Sequence, residues 1–563
     1  MNDEAPWVRN YQPGVPATIA IPDEPLTALF DRSCAVDPNA VALEFFGRRT
    51  SYGDLSRSVA RAAGWLASVG VRPGDRVALV LPNSPQHVIA FYAALRVGAV
   101  VVEHNPLYTA HELAGMFADH GAEVAICWDV AVPKLPDGLR RVVAVNLLDA
   151  FPPVKRLALQ LPVPKLRATR DRLHAPAPGT TPWRAVLAAS PVTDALPHPG
   201  ATDLAVIQYT SGTTGHVKGA MLSHRNLYAN ALQGAAWMKD AVDGREVIYA
   251  VLPMFHAFGM TLYLTFGILK RAHIVLFPSF DADLVLDVAR KTPPTVYCAV
   301  PPIYRRTADR AKERGVSLRS ARFCISGAMA LTDDIVELWE SVSGGLLVEG
   351  YGLTEAAPVA LGNPFWPTRR TGTIGVPFPS TLMRVVDPDY PTRDVPQGEP
   401  GELLLKGPQI FGGYWQAPEE TALALLPGGW LRTGDLVTVD ADGFTTIVDR
   451  LKEIIITGGF NVAPSEVEAE LHEHPDIAEV AVVGLPGPTG DRVVAAVVTR
   501  SGKPLETAAL RAWAKERLAA YKVPREVVTV PELPKSLLGK VLRKRVADDL
   551  AARSAAQSAA PGA

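Results

Sequence analysis

The chain predicts a multi-domain α/β (α+β) protein, with a large N-terminal region holding two α/β sheet subdomains and a β-rich subdomain, followed by a small α+β C-terminal domain. Three observations carry this reading. Strand-sized apolar runs alternate with helix-patterned segments in the first 300 residues. Short strands broken by Pro and Gly fill 380–448. The composition then changes at the Asp449-Arg450 pair. At 563 residues the chain also exceeds what one core serves, at roughly 100–200 residues per domain.

Within residues 76–128, "RVALVLP" reads as a buried strand and "SPQHVIAFYAALRVG" as an amphipathic helix ending at Gly98. "AVVVEHNP" is a second strand, "TAHELAGMFADHG" a second helix and "AEVAICW" a third strand. This alternation implies a parallel sheet covered on both faces. The pattern returns at "REVIYAVLPMFH", "AHIVLFPSF" and "PTVYCAVPP", which gives the second sheet. Residues 152–185 differ, because Lys155, Arg156, Lys165, Arg167, Arg170 and Arg172 lie among Leu, Val and Pro. That segment reads either as a solvated surface insertion or as a peripheral contact with anionic lipid. "TLMRVVD" and "GELLLKG" supply strands of the β-rich part. "IAEVAVVGLP", "DRVVAAVVTR", "LETAALRAWAKERLAAY" and "REVVTVPEL" describe the α+β domain, of about 100 residues. The expected boundaries are 1–448, 449–545 and a disordered small-residue tail at 546–563.

Composition excludes several classes. Hydrophobic content of 48% and charged content of 20% are those of a globular protein. With 56 Lys+Arg against 58 Asp+Glu, the net charge of −2 provides no field for nucleic acid. Cys34, Cys127, Cys298 and Cys324 lack metal-ligand or thioredoxin spacing and read as buried free thiols of a reducing compartment. The polar, acidic N-terminus is no secretory signal, and no apolar run approaches the roughly 20 residues of a membrane span. The expected location is cytoplasmic, with peripheral contact at the membrane's inner face if the basic segment meets lipid.

Five segments carry chemistry. In "YTSGTTGHVKG" (209–219), Gly212 and Gly215 allow close backbone approach, Thr210, Ser211, Thr213 and Thr214 add hydroxyls, and Lys218 adds a positive charge. That composition suits phosphate, or else a flexible turn. It is not a Walker loop, because His216 and Val217 separate Gly215 from Lys218. In "EGYGLTEAAP", Glu355 beside Thr354 reads as a solvated loop carboxylate or as a Mg²⁺ ligand, an ion that uses one or two carboxylates plus phosphate. In "GGWLRTGDL", Asp435 is a turn residue or an acceptor for a ribose diol. "DRLKEIIITGGFNVAPSEVE" places charges before a strand, a Gly-Gly turn and a Pro-initiated helix. In "LPKSLLGKVLRK", Lys540 follows Gly539 and by itself reads as a surface charge.

In this order, "YTSGTTGHVKG", "YGLTE", "TGD", "DRLKEIIITGGFN" and the final "GK" resemble the adenylate-forming superfamily, and the match covers roughly residues 25–545. "PWVRNYQPGVPATI", "LPMFHAFG" and "LPKSLLGKVLRK" are most similar to bacterial long-chain fatty acyl-CoA ligases. The resemblance implies an ATP-dependent ligase that adenylates a medium- to long-chain fatty acid and then passes the acyl group to CoA, as a monomer or a homodimer. It implies Lys540 and Glu355 as catalytic residues, with Mg²⁺ on Thr210 and Glu355. The loop 210–215 with Lys218 would hold the triphosphate. Gly327, Ala328, Glu349, Gly350 and Tyr351 would form the adenine side, Thr354 would join the ATP/AMP-binding residues, and Asp435 and Arg450 would make the ribose contacts. Asp449 becomes the hinge of a mobile C-terminal domain. His256, Phe258 and Met260 line the acyl site, and Gly458, Gly459 and Phe460 the CoA region.

Three positions depart from the family pattern. Met329 stands where Ala or Pro is more usual, Ile456 where some long-chain members carry Lys, and "PMFHAFGM" lacks the tunnel-gating Trp of some members. Two related activities are the alternatives: a fatty acyl-AMP ligase that loads a carrier protein, and an aryl or short-chain acyl-CoA ligase. The uninterrupted "DRLKEIIITGGFN" favours CoA over a carrier. A catalytically silent acyl-binding relative is disfavoured by the intact Lys540, Glu355 and Asp435.

Overall fold

Two sheets organise the larger part of the chain. One has seven strands in the order Thr181–Pro182, Arg141–Val145, Val124–Trp128, Arg76–Val80, Val100–His104, Leu204–Thr210 and Lys218–Ser223. The first six run parallel, and the last folds back as a hairpin. The other has nine strands. Its central parallel run is Leu347–Gly352, Phe323–Ser326, Val296–Ala299, Val247–Ala250, His273–Leu276 and Val41–Phe45. Val77, Ala78, Leu79 and Val80 are all fully buried, as expected of a parallel sheet covered on both faces. The computed structural model describes residues 5–192, 199–210, 217–457, 460–487, 490–536 and 539–559, with backbone alone at 460, 461, 490 and 554–559.

The helix Pro85–Arg96 is not amphipathic in the way its sequence suggests. Every residue from Pro85 to Leu95 is buried. It packs on strands of both sheets and on the helices Leu26–Val36 and Tyr52–Ser68, so no face is left for water. Two of its polar groups find partners inside the protein. Gln86 donates to the Asn146 carbonyl at 3.3 Å, and the His87 ring meets the Glu103 carboxylate at 3.0 Å. Ser84 caps its start by accepting from His87 N–H, and Gly98, at φ +74°, follows its end. The helix Ala110–His120 opens with a reciprocal capping box of Thr109 and Glu112. The four cysteines are buried and free, and burial pushes the Cys34 thiol up to about 12.

Contacts divide the chain into two compact units, Met1–Leu382 with Leu405–Leu431, and Met383–Leu404 with Arg432–Ala563. The expected break at 448/449 falls inside the second of these units. Residues 383–404 and 432–448 cluster with the C-terminal residues because the strand Trp430–Val439 pairs with Thr445–Arg450, and Arg432 bonds the Glu402 carboxylate at 2.5 Å. Beyond it, the strands Ile455–Thr457, Ile477–Gly487, Gly490–Thr499 and Glu526–Thr529 join one sheet. A helix runs from Arg543 to Ala559, through much of the segment expected to be disordered, while residues 560–563 lie outside the described residues. Val546 and Leu550, four residues apart, are buried against Ala481, Val483, Leu485 and Val494. Burying two such side chains stabilises by roughly 1.5–3 kcal/mol each, and the Ala-rich sequence favours the helix beyond them.

Candidate active site

The hairpin that flanks the expected phosphate loop lies at the edge of the seven-stranded sheet, where Thr210 pairs with Lys218 across Leu204–Thr210 and Lys218–Ser223. Ser211, Gly212, Thr213, Thr214 and Gly215 lie outside the described residues. The segment 411–415 docks on the hairpin through backbone bonds. Met221 N–H donates to the Gly413 carbonyl at 2.9 Å and Trp415 N–H to the Gly219 carbonyl at 2.7 Å. Phe411 N–H donates to the Glu355 carbonyl at 2.9 Å, which ties the turn Thr354–Ala356 to the same segment. A relay of side chains results. The Lys218 ammonium pairs with Glu420 and lies 5.2 Å from the centre of the Tyr414 ring. The Tyr414 hydroxyl donates to Glu355 Oε1 at 2.6 Å. Burial, and then the Glu355 charge, hold the Tyr414 pKa well above that of a free phenol. Sequence reading missed Tyr414 and Glu420, and it left Lys218 free to meet phosphate, whereas here Lys218 has a carboxylate partner.

The residues expected on the adenine side stand where two parallel strands run side by side, with Ser326 opposite Glu349. Gly327 and Ala328 follow one strand, and Gly350 and Tyr351 complete the other. A Cβ on Gly327 would stand 3.1 Å from Phe258 Cε1 and 3.2 Å from the Gly350 carbonyl oxygen, so this turn is cut to fit a bare backbone. Ala328 takes φ +66°, a left-handed conformation that costs an L-residue roughly 1–2 kcal/mol. The Glu349 side chain is pushed up to about 8 by burial. It therefore holds its proton at neutral pH and can donate a hydrogen bond as well as accept one.

The segment expected to line the acyl site lies beside this turn. A short helix, Ala257–Gly259, runs into π-helical turns over Met260–Phe266, a distortion frequent at functional sites. Gly259 has no room for a side chain, since a Cβ there would lie 2.0 Å from the Pro253 carbonyl oxygen. His256 Nδ1 accepts the Phe258 N–H at 3.3 Å, which leaves the proton on Nε2. Burial lowers the His256 pKa to about 4, so the ring is neutral at pH 7. Phe258 borders Gly327, while Met260 is fully buried. Thr261 Oγ1 donates to the Ala357 carbonyl at 2.7 Å, which fixes the segment to the Glu355 turn.

Asp435, Asp449, Arg450 and Lys540 all belong to the second unit. Asp435 and Arg450 sit opposite each other in a strand pair, and their side chains form an ion pair of 3.1 Å. Lys540 ends a tight turn in which Ser536 N–H donates to the Lys540 carbonyl at 2.7 Å and Gly539 takes φ +84°. Its pKa is lowered, first by burial and then by the Arg450 charge, against the opposing pull of Glu453 and Asp435. Asp449 is enclosed, accepting Ser465 N–H at 2.9 Å. Arg543, three residues past Lys540, bonds Glu468 and Glu453 and stands 3.8 Å from Asp449. Only the fold gives Arg543 these partners. Gly458 and Gly459 lie outside the described residues, and Phe460 is described by its strand backbone alone.

Among the described residues no three His, Cys, Asp or Glu side chains converge as a metal cage. Glu355 is instead a single carboxylate held in place by Tyr414. A sparse oxygen donor set of that kind fits Mg²⁺, which completes its shell with phosphate and water.

The AMP-binding enzyme family matches residues 30–415, and the AMP-binding enzyme C-terminal domain matches residues 466–540. A long-chain-fatty-acid–CoA ligase of Bacillus subtilis is 37% identical over 559 residues, covering 98% of this chain and 99% of that one. A feruloyl-CoA synthase of an Amycolatopsis species is 35% identical over 517 residues, covering 92% and 97%. The crystal structure of ATP-bound MatB from Rhodopseudomonas palustris superimposes with a TM-score of 0.77 at 30% identity, covering 93% of this chain and 98% of that chain. The two-domain family match, near-complete coverage of relatives above 30% identity and the shared fold together make this chain a member of the AMP-binding, adenylate-forming acyl-CoA ligase family.

Proposed function

We propose that the chain is an ATP-dependent fatty acid–CoA ligase acting on medium- to long-chain acids. In the first step an oxygen of the substrate carboxylate attacks the α-phosphorus of ATP, and the bond to the β-phosphate oxygen breaks, releasing pyrophosphate. In the second, the CoA thiolate attacks the acyl carbonyl and AMP leaves with the electron pair of the acyl–oxygen bond. Thr210 and Glu355 would hold Mg²⁺, which neutralises phosphate charge when bound. The loop 210–215 takes the triphosphate, with Lys218 steadied beside it by Glu420. Gly327, Ala328, Gly350 and Tyr351 form the adenine side, where the protonated Glu349 offers a donor, and Thr354 joins the ATP/AMP-binding residues. Asp435 and Arg450 take the ribose. Lys540 offsets the repulsion between carboxylate and α-phosphate, an effect strengthened by its desolvation. It must then withdraw for CoA to enter, through rotation at Asp449, with Gly458, Gly459 and Phe460 on the CoA path.

The observation that carries this reading is the half-buried Lys540, held by the Ser536–Lys540 backbone bond in the same unit as Asp435 and Arg450. The apolar enclosure of Phe258 and Met260, with a neutral His256, supports an alkyl chain. An aryl acid is the second reading, supported by the feruloyl-CoA synthase relative. Pyrophosphate release measured across a panel of carboxylates, with and without CoA, separates them. kcat/KM should rise with chain length from acetate upward, since each buried CH₂ contributes about 0.8 kcal/mol. A flat profile, or a maximum at benzoate or ferulate, removes the fatty-acid reading. Full turnover without CoA but with a carrier protein would point to an acyl-AMP ligase.

A further inference from the structure

The basic segment is ordered at both ends and buries Leu159, yet turns four of its aliphatic residues outward. Two helices, Pro153–Ala158 and Pro164–Leu173, follow the strand Arg141–Val145. Lys155 donates to the Phe46 carbonyl at 2.9 Å and Arg156 pairs with Asp149 at 3.5 Å, which fixes the start. The Trp128 indole donates to the Leu173 carbonyl at 3.0 Å, and His174 bonds Asp129, which fixes the end. Between these anchors neither helix has a buried residue. Val154 is 80% exposed, Leu157 68%, Leu161 52% and Val163 45%. Six Lys or Arg stand here against one acidic residue, Asp171, in a chain whose total net charge is −2.

Four exposed aliphatic side chains within ten residues, on an anchored scaffold, form an apolar patch rimmed by cations. We propose that residues 153–173 dock the protein on an anionic lipid bilayer, with Val154, Leu157, Leu161 and Val163 entering the headgroup layer and Lys165, Arg167 and Arg172 facing lipid phosphates. Charge complementarity selects an anionic surface, and the aliphatic side chains select lipid over nucleic acid, whose phosphate backbone offers them nothing. No described helix is long and apolar enough to cross a membrane, so the contact is peripheral. The sheet topology orients it. Arg141–Val145 and Leu204–Thr210 run in the same direction in one sheet, so the segment emerges at the same end of the sheet as Thr210, with three strands between.

The test is sedimentation of the full chain with phosphatidylcholine vesicles, and with vesicles in which a third of the lipid is phosphatidylglycerol. Wild type should sediment with the anionic vesicles only and be released at about 0.5 M NaCl, where screening shortens the reach of charge to a few ångström. Replacing Lys165, Arg167 and Arg172 by Gln should lower the partition coefficient on the order of a hundredfold, at about 1 kcal/mol per cation. Replacing Val154, Leu157, Leu161 and Val163 by Ser should lower it about tenfold or more while keeping the salt dependence. Both variants should keep wild-type pyrophosphate release with a short, water-soluble acid, which shows that they fold. Equal sedimentation with both vesicle types, no sedimentation, or wild-type sedimentation by either variant overturns the proposal. So does tighter binding to an RNA duplex than to anionic vesicles, which would make the patch a nucleic-acid surface.

Discussion

Lys218 and Lys540 both belong to motifs that suggest phosphate chemistry, but the fold treats them in opposite ways. Lys218 has a direct carboxylate partner in Glu420 and an aromatic face beneath it, and the relay runs on through Tyr414 to Glu355. Lys540 is placed by backbone, on a turn closed by Ser536 and Gly539, and what burial does to it outweighs any single neighbouring charge. A lysine with a partner suits a standing structural charge. A desolvated one suits a charge whose partner is a passing substrate, because desolvation strengthens the contact once it forms.

The largest test of that contrast is Lys540→Ala. Loss of one such electrostatic contact costs about 3–4 kcal/mol, so adenylation should fall roughly 10²–10³-fold, while thioester formation from supplied acyl-AMP is spared. Pyrophosphate release near the wild-type rate would take Lys540 out of the mechanism. Next is Asp449→Pro, which fixes φ near −65°. In single turnover, acyl-CoA formation should drop by at least about tenfold while acyl-AMP formation falls less. Equal loss in a folded variant would place the rotation elsewhere.

Tyr414→Phe removes the donor to Glu355 and leaves the ring under Lys218. Losing one such hydrogen bond costs roughly 0.5–1.5 kcal/mol, so the KM for Mg·ATP should rise about two- to tenfold with kcat less affected. An unchanged KM would show that the relay does not support Glu355. The smallest effect concerns Glu349. Its pKa rises from 4.5 to about 8 on folding, through burial. The folded state thus keeps a proton that the unfolded chain releases, and stability falls as pH rises from about 4.5 through about 8. Glu349→Gln should flatten that slope and raise stability relative to wild type at pH 8 by about 1 kcal/mol or more, read as denaturant midpoints across pH. A parallel slope in both proteins would show that Glu349 is ionised in the fold.

Much of this was legible from residues alone. Apolar runs at strand length and helical periodicity report what each segment buries, so "RVALVLP", "AVVVEH" and "AEVAICW" became neighbouring strands as expected. The five motifs, taken in order, indicated the family without any coordinates. Periodicity describes one element at a time, however, and does not count its neighbours. Pro85–Arg96 looked one-sided, yet strands of both sheets close over it. The tail looked too small to order until Val546 and Leu550 found the sheet of the C-terminal unit. The break at 448/449 followed a change in composition, whereas the contacts follow strand pairing. Local sequence determined the elements and the chemistry each loop offers. Only the tertiary structure decided where the charges settle, because Glu420 lies 202 residues from Lys218 and Glu468 75 from Arg543, and no local pattern encodes partners at that separation.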